Sequence, residues 1–136
     1  MKGQYTGFYK YDNERVQQKL SRDQTFFDID VTEVNGEKFF GTIQEEAVGQ
    51  PGQGIIIGEL SGDTISFIKQ MNFAASIKPN GQLKTYNTRH PKIYYKGIYQ
   101  NEKFVGTWKI KFGFIFVGLL PIPIPPISGI WEMRKK

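Results

Sequence analysis

Two charged side chains sit where strand alternation would turn them inward. In residues 37–46, Phe39, Gly41 and Ile43 share one face and Glu45 continues it. In residues 64–71, Ile65 and Phe67 share one face and Lys69 continues it. A carboxylate and an ammonium facing a core would have shifted pKa values and would pair with each other. The plainer alternative puts each at a strand end in water. Glu46 and a loop follow Glu45 directly, and such charges are seldom fully buried.

The tyrosines are the second set. Tyr5, Tyr9, Tyr86 and Tyr95 could donate protons or hold a ligand, or serve as core aromatics with their hydroxyls at a rim. His90 is the only histidine and there is no cysteine. One His without Cys cannot assemble the usual zinc site, and Arg89 and Pro91 beside it suit an exposed loop. No Gly-x-Ser-x-Gly elbow, no Ser-His-Asp arrangement and no phosphate-cradling glycine loop is present. The sequence therefore nominates no catalytic residue, no metal ligand and no cofactor, and enzyme chemistry ranks behind binding.

The elements that must position these groups read as strands. Residues 93–99 and 104–110 alternate on either side of the polar turn Gln100-Asn101-Glu102-Lys103, which is a hairpin signal. Phe104, Gly106, Trp108 and Ile110 form its dry face; Val105, Thr107, Lys109 and Lys111 form its wet face. Residues 3–11 place Gly3, Tyr5, Gly7, Tyr9 and Tyr11 together. Residues 25–34 and 37–46 flank Asn35-Gly36, and residues 54–60 and 64–71 flank Ser61-Gly62-Asp63. Residues 129–134 form the last strand. Between them, residues 12–24 are a loop or a short helix capped by Asn13, with Val16 and Leu20 as its only apolar stripe. Gly49 to Gly52 is a loop, and residues 76–86 form a small hairpin about Pro79-Asn80-Gly81.

The chain of 136 residues is expected to be one domain, 1–136, with a core that needs no staples. Abundant Phe, Tyr and Gly lean all-β. The net charge is +5, yet Lys alternates with apolar residues instead of clustering, which excludes a nucleic-acid stripe. The balance is that of a soluble protein. No apolar leader follows Met1, so the default compartment is the cytoplasm.

No long amphipathic helix is available to cover a half-buried sheet. Closing the sheet on itself hides its apolar side. The expected fold is a single antiparallel up-and-down meander β-barrel of about eight to ten strands, with a two-sheet sandwich as runner-up. Gly-x-aromatic units recur at Gly3-Gln4-Tyr5, Gly97-Ile98-Tyr99 and Gly129-Ile130-Trp131. With Gly106-Thr107-Trp108-Lys109-Ile110, the layout resembles the calycin-type barrels: lipocalins, avidins, fatty-acid-binding and nitrobindin-like proteins. Their Gly-x-Trp lies on the first strand; here it falls on the penultimate and last strands, and Tyr5 takes the usual Trp place. The resemblance implies a lipocalin-like fold holding a small hydrophobic ligand. In nitrobindin-like barrels a His binds haem, but His90 does not align with that ligand. Some calycin-type barrels are decarboxylases or cyclases, so a lyase- or isomerase-type pocket enzyme is a further alternative.

On this reading the ligand-binding interior comprises Tyr5, Tyr9, Phe39, Glu45, Phe67, Lys69, Tyr95, Trp108 and Trp131, around a cavity of roughly 300 Å3 or more. The remaining feature is residues 112–127, which contain no charged or hydrogen-bonding side chain. At about 16 residues the stretch is shorter than the ~20 of a membrane helix, and its prolines forbid one. Three readings compete. It packs over the barrel mouth as core or lid. It is an exposed surface, through Phe112, Phe114, Phe116, Leu119 and Leu120, for a homodimer or another protein. Or it docks on a membrane, which ranks last, with Arg134-Lys135-Lys136 assisting on anionic lipid.

Overall fold

The computed structural model describes residues 1–12, 24–45, 52–71, 74–77, 83–86, 92–110, 113–124 and 127–136. The twelve strands are β1 (Gly3–Tyr11), β2 (Thr25–Asn35), β3 (Lys38–Glu45), β4 (Gly52–Ser61), β5 (Thr64–Met71), β6 (Ala74–Ile77), β7 (Leu83–Tyr86), β8 (Ile93–Gln100), β9 (Lys103–Ile110), β10 (Gly113–Val117), β11 (Leu120–Ile124) and β12 (Ile127–Lys135). The proposed Asn13 cap, the turn at 79–81 and His90 lie outside the described residues.

Eight strands close into an antiparallel barrel in the order β1-β12-β9-β8-β5-β4-β3-β2. The all-β closed barrel matches the sequence reading, but a strict meander does not form. Order is non-sequential where β5 pairs with β8 and β9 with β12, because the hairpins β6–β7 and β10–β11 are inserted there as separate two-stranded sheets. Each insert has a reason to stay out of the wall. β6 and β7 have only four residues apiece. β11 carries Pro121 and Pro123, which offer no N–H to a second neighbour.

Burial follows the alternation. β2 reads buried-exposed through Thr25, Phe27, Ile29 and Val31, and β4 and β5 do likewise. The inward residues form one core, from Tyr5 and Phe104 through Phe67, Tyr95 and Trp131 to Tyr9 and Trp108.

The Gly-x-aromatic units have a packing cause. Trp108 lies beside Gly129 and Trp131 beside Gly106 across the β9–β12 pair. A Cβ on Gly129 would come within 2.6 Å of the Trp108 indole nitrogen, and one on Gly97 within 2.8 Å of Trp131. The glycines let each indole lie flat on a strand and donate its N–H to backbone: Trp108 Nε1 to Lys10 O at 3.0 Å, and Trp131 Nε1 to Lys96 O and Thr107 O at 3.0 Å each.

The two ends of the barrel differ. One end has tight turns at Gly36, Gly62 and Asn101-Glu102, where both turn residues of the last have positive φ, as a type I′ hairpin requires. At the other end, all four longer connections leave the barrel, after Tyr11, Glu45, Met71 and Ile110.

Candidate functional site

The inward polar residues gather toward the end with the long connections. Glu45 is the last residue of β3 and Lys69 lies two from the end of β5. β4 runs between these strands and pairs Gly52 with Glu45 and Ile56 with Lys69, so the two positions lie two strands apart and four residues out of step. β4 turns Gly52 and Gly54 inward at that height: Gly52 faces Glu45 and Gly54 faces Met71. With no side chain there, the two long side chains cross the gap, and Lys69 Nζ donates to Glu45 Oε2 at 2.7 Å. Lys69 is 1% exposed and Glu45 13%. The alternative of two solvated strand ends is overturned by that geometry.

Tyrosines surround the ammonium. Lys69 Nζ lies 4.6 Å from the ring centre of Tyr9 and 5.3 Å from that of Tyr95. These cation–π contacts partly replace the hydration that the buried ammonium loses. Tyr9 and Tyr11 both set their rings edge-on to Trp108, at 5.5 and 5.1 Å. The hydroxyl of Tyr95 is fully buried and has no hydrogen-bond partner among the described residues.

Burial raises the pKa of Tyr9 far above its ordinary value; Glu45 and the neighbouring tyrosines push the same way and Lys69 opposes. Tyr95 is raised well above the usual phenol range by burial, then by Glu45 and Tyr11. Tyr11 is raised by burial, with Lys69 and a hydrogen bond to Tyr9 working against it. These phenols therefore hold their protons at neutral pH. They are hydrogen-bond donors, not bases.

The structure brings together Tyr9, Glu45, Lys69, Tyr95 and Trp108 from the expected set. Phe67 stacks on Tyr95 with ring centres 4.6 Å apart, and Trp131 sets edge-on to both, which makes them the floor beneath the cluster. Phe39 packs on Phe67. Tyr5 is not part of the site. It sits toward the tight-turn end, donates to Met1 O at 2.9 Å and meets Phe104. Tyr11 was missed as a site residue, although it continues the inward face of Tyr9. The Tyr86 and Phe114 and Phe116 side chains, and Phe112 altogether, lie outside what is described. Leu119 and Leu120 are exposed, at 100% and 64%. Among the described residues no group of acidic, His or Cys side chains could hold a metal ion.

The interior is filled by side chains, and the cavities lie elsewhere. One of about 830 Å3 runs along the outer wall and includes Phe40, Ile57, Ile68 and Tyr94, which are successive cross-strand neighbours. Another of about 490 Å3 is lined by the outward Asp28, Asp30, Thr42 and Gln44. The wide internal cavity expected from the sequence is absent at these residues, because rings from facing strands meet across the axis. The second cavity also holds Lys136, paired with Asp28 at 3.4 Å with both side chains exposed, whereas the Glu45–Lys69 pair is enclosed.

Three comparisons with known proteins add nothing to the geometry: no family model, curated protein or solved structure matches the chain. The architecture is that of an eight-stranded antiparallel closed barrel, consistent with the calycin-type barrels in general.

Proposed function

We propose that the protein binds a small, mostly apolar molecule at the end of the barrel where the long connections lie. The carrying observation is the Tyr95 hydroxyl, buried beside an ion pair and left without a partner among the described residues. An unpaired buried hydroxyl is costly, and a ligand carbonyl or hydroxyl reaching it would remove that cost. Glu45 and Lys69 neutralise each other, so the ligand brings no net charge to the site. The proton-retaining tyrosines support binding over catalysis by a tyrosinate base. With the interior filled, the ligand sits against the Tyr11 and Glu45 end and sends its polar group inward. Native mass spectrometry of freshly purified protein tests this: a bound small molecule is expected, and it should be lost in Tyr95→Phe. A bare polypeptide mass under conditions that preserve noncovalent complexes would overturn it.

A second reading has its own observation. A filled barrel with exposed Leu119 and Leu120 suits an interaction module using residues 112–127. Light scattering that shows a dimer in dilute solution would favour it, and a monomer would count against self-association.

A further inference from the structure

The β10–β11 hairpin is a separate two-stranded sheet inserted between β9 and β12. From the Ile110–Ile127 pair to the Gly113–Ile124 pair each strand advances by three residues, so the two ladders share one register count. The ladder ends at a two-residue turn, Gly118-Leu119, closed by Val117 and Leu120, with Gly118 at φ +64°. Leu119 at the turn is 100% exposed, Leu120 64% and Ile122 43%. The tip is therefore not packed as a lid on its own barrel.

We propose that this tip inserts into the apolar layer of a lipid bilayer. Three observations select that occupant. First, from Phe112 to Ile127 no side chain is charged or can hydrogen-bond, so no side chain of the tip resists hydrocarbon. Second, in a hairpin closed by a two-residue turn, hydrogen-bonded and non-hydrogen-bonded pairs alternate from the closing pair. Pro123 and Pro121, opposite Phe114 and Phe116, occupy the non-bonded pairs, where an N–H would point away from β10. The free edge of β11 thus shows no donor at these positions. A protein partner adding a strand along β11 would need those donors; on β10 the N–H groups of Phe114 and Phe116 face outward from the same pairs, so only the turn enters hydrocarbon and the β10 edge stays in the wet interface. Third, Leu119, Leu120 and Ile122 cannot supply the ~800 Å2 per partner of a stable dimer. A shallow apolar wedge needs far less.

No helix among the described residues is long and apolar enough to cross a membrane. The basic tail does not assist. β12 runs away from the hairpin, which puts Arg134, Lys135 and Lys136 at the tight-turn end. Binding should then depend on apolar insertion and not on anionic lipid. The proposal is independent of the Tyr95 site.

The chain has no cysteine, so Leu119→Cys gives a unique site for an environment-sensitive dye. With phosphatidylcholine vesicles the dye should shift to the blue and brighten, and should do so in about 1 M salt, where the screening length is ~3 Å. Adding Leu120→Asp should cut partitioning by about tenfold or more, with the near-ultraviolet signal of Trp108 and Trp131 unchanged. No dye response on these vesicles overturns the proposal. So does a response that needs phosphatidylserine and vanishes in salt, which means adsorption of a basic surface. A response without vesicles that grows with protein concentration, alongside a dimer by light scattering, also overturns it and assigns the tip to a second copy.

Discussion

Lys69 Nζ and Glu45 Oε2 meet at 2.7 Å inside a barrel whose other described inward side chains are mainly apolar. The two ends of this pair are unequal. Lys69 is enclosed by the Tyr9 and Tyr95 rings, while Glu45 keeps some solvent contact. Removing one partner of a buried pair typically costs about 3–5 kcal/mol, because the other charge stays buried and unpaired. Glu45→Ala strands the enclosed ammonium and should fall in that range. Lys69→Met leaves a carboxylate that can turn to water and should cost less. The double variant should be more stable than Glu45→Ala alone. Urea unfolding of all three checks the order, and a Lys69→Met loss equal to or above that of Glu45→Ala would contradict it.

Tyr9 and Tyr95 make the fold sensitive to alkali. Their pKa values are raised in the folded chain above the ordinary 10.0. Below that value both folded and unfolded chains hold the proton, and the stability is fully present. As pH rises past it, the unfolded chain ionises first and stability falls. Absorbance at tyrosinate wavelengths should therefore show these phenols silent until the barrel unfolds. Tyr95→Phe and Tyr9→Phe should each reduce the steepness of that alkaline loss. Early titration of every tyrosine without unfolding would rule this out.

The Trp–Gly contacts should tolerate little. Gly97→Ala places a methyl against the Trp131 ring, and Gly129→Ala places one against the Trp108 indole and the Lys10 carbonyl that accepts its N–H. Overpacking of this kind costs about 1–3 kcal/mol, and displacing the indole adds the loss of its hydrogen bonds. Thermal melts should show both variants below wild type, while Gly36→Ala, at a solvent-facing turn with open space around it, loses only its φ preference.

Period-two alternation and the turn residues are enough to read an all-β barrel: the turns Gly36-Glu37 and Gly62-Asp63 each open on a glycine at positive φ, whereas Asn101-Glu102 places two non-glycine residues there. The interrupted connectivity was less legible. The short hairpin read over 76–86 forms as β6–β7, but nothing local says that it stays apart from the wall, whereas the prolines of β11 mark that strand as unable to pair twice. The faces of Glu45 and Lys69 could be read, but not their meeting. That depends on the register of β3 and β5 against β4, which puts glycines between them, and register over strands far apart in sequence is fixed by packing. The filling of the interior was hidden for a similar reason: alternation says which rings point inward, not whether rings from opposite strands touch.

Tyr95 gives the sharpest test of the site. Its hydroxyl is wholly buried with no partner among the described residues, so in ligand-free protein it opposes folding. Tyr95→Phe removes the stranded group while keeping the ring stacked on Phe67 and edge-on to Trp131. The ligand-free variant should therefore match or exceed wild-type stability, by up to about 1 kcal/mol. The same change should weaken any small molecule recovered with the wild-type protein, since the hydroxyl is the donor it would engage. Stability that falls by more than about 1 kcal/mol would mean the hydroxyl is already paired, by water or otherwise, and that it awaits no ligand.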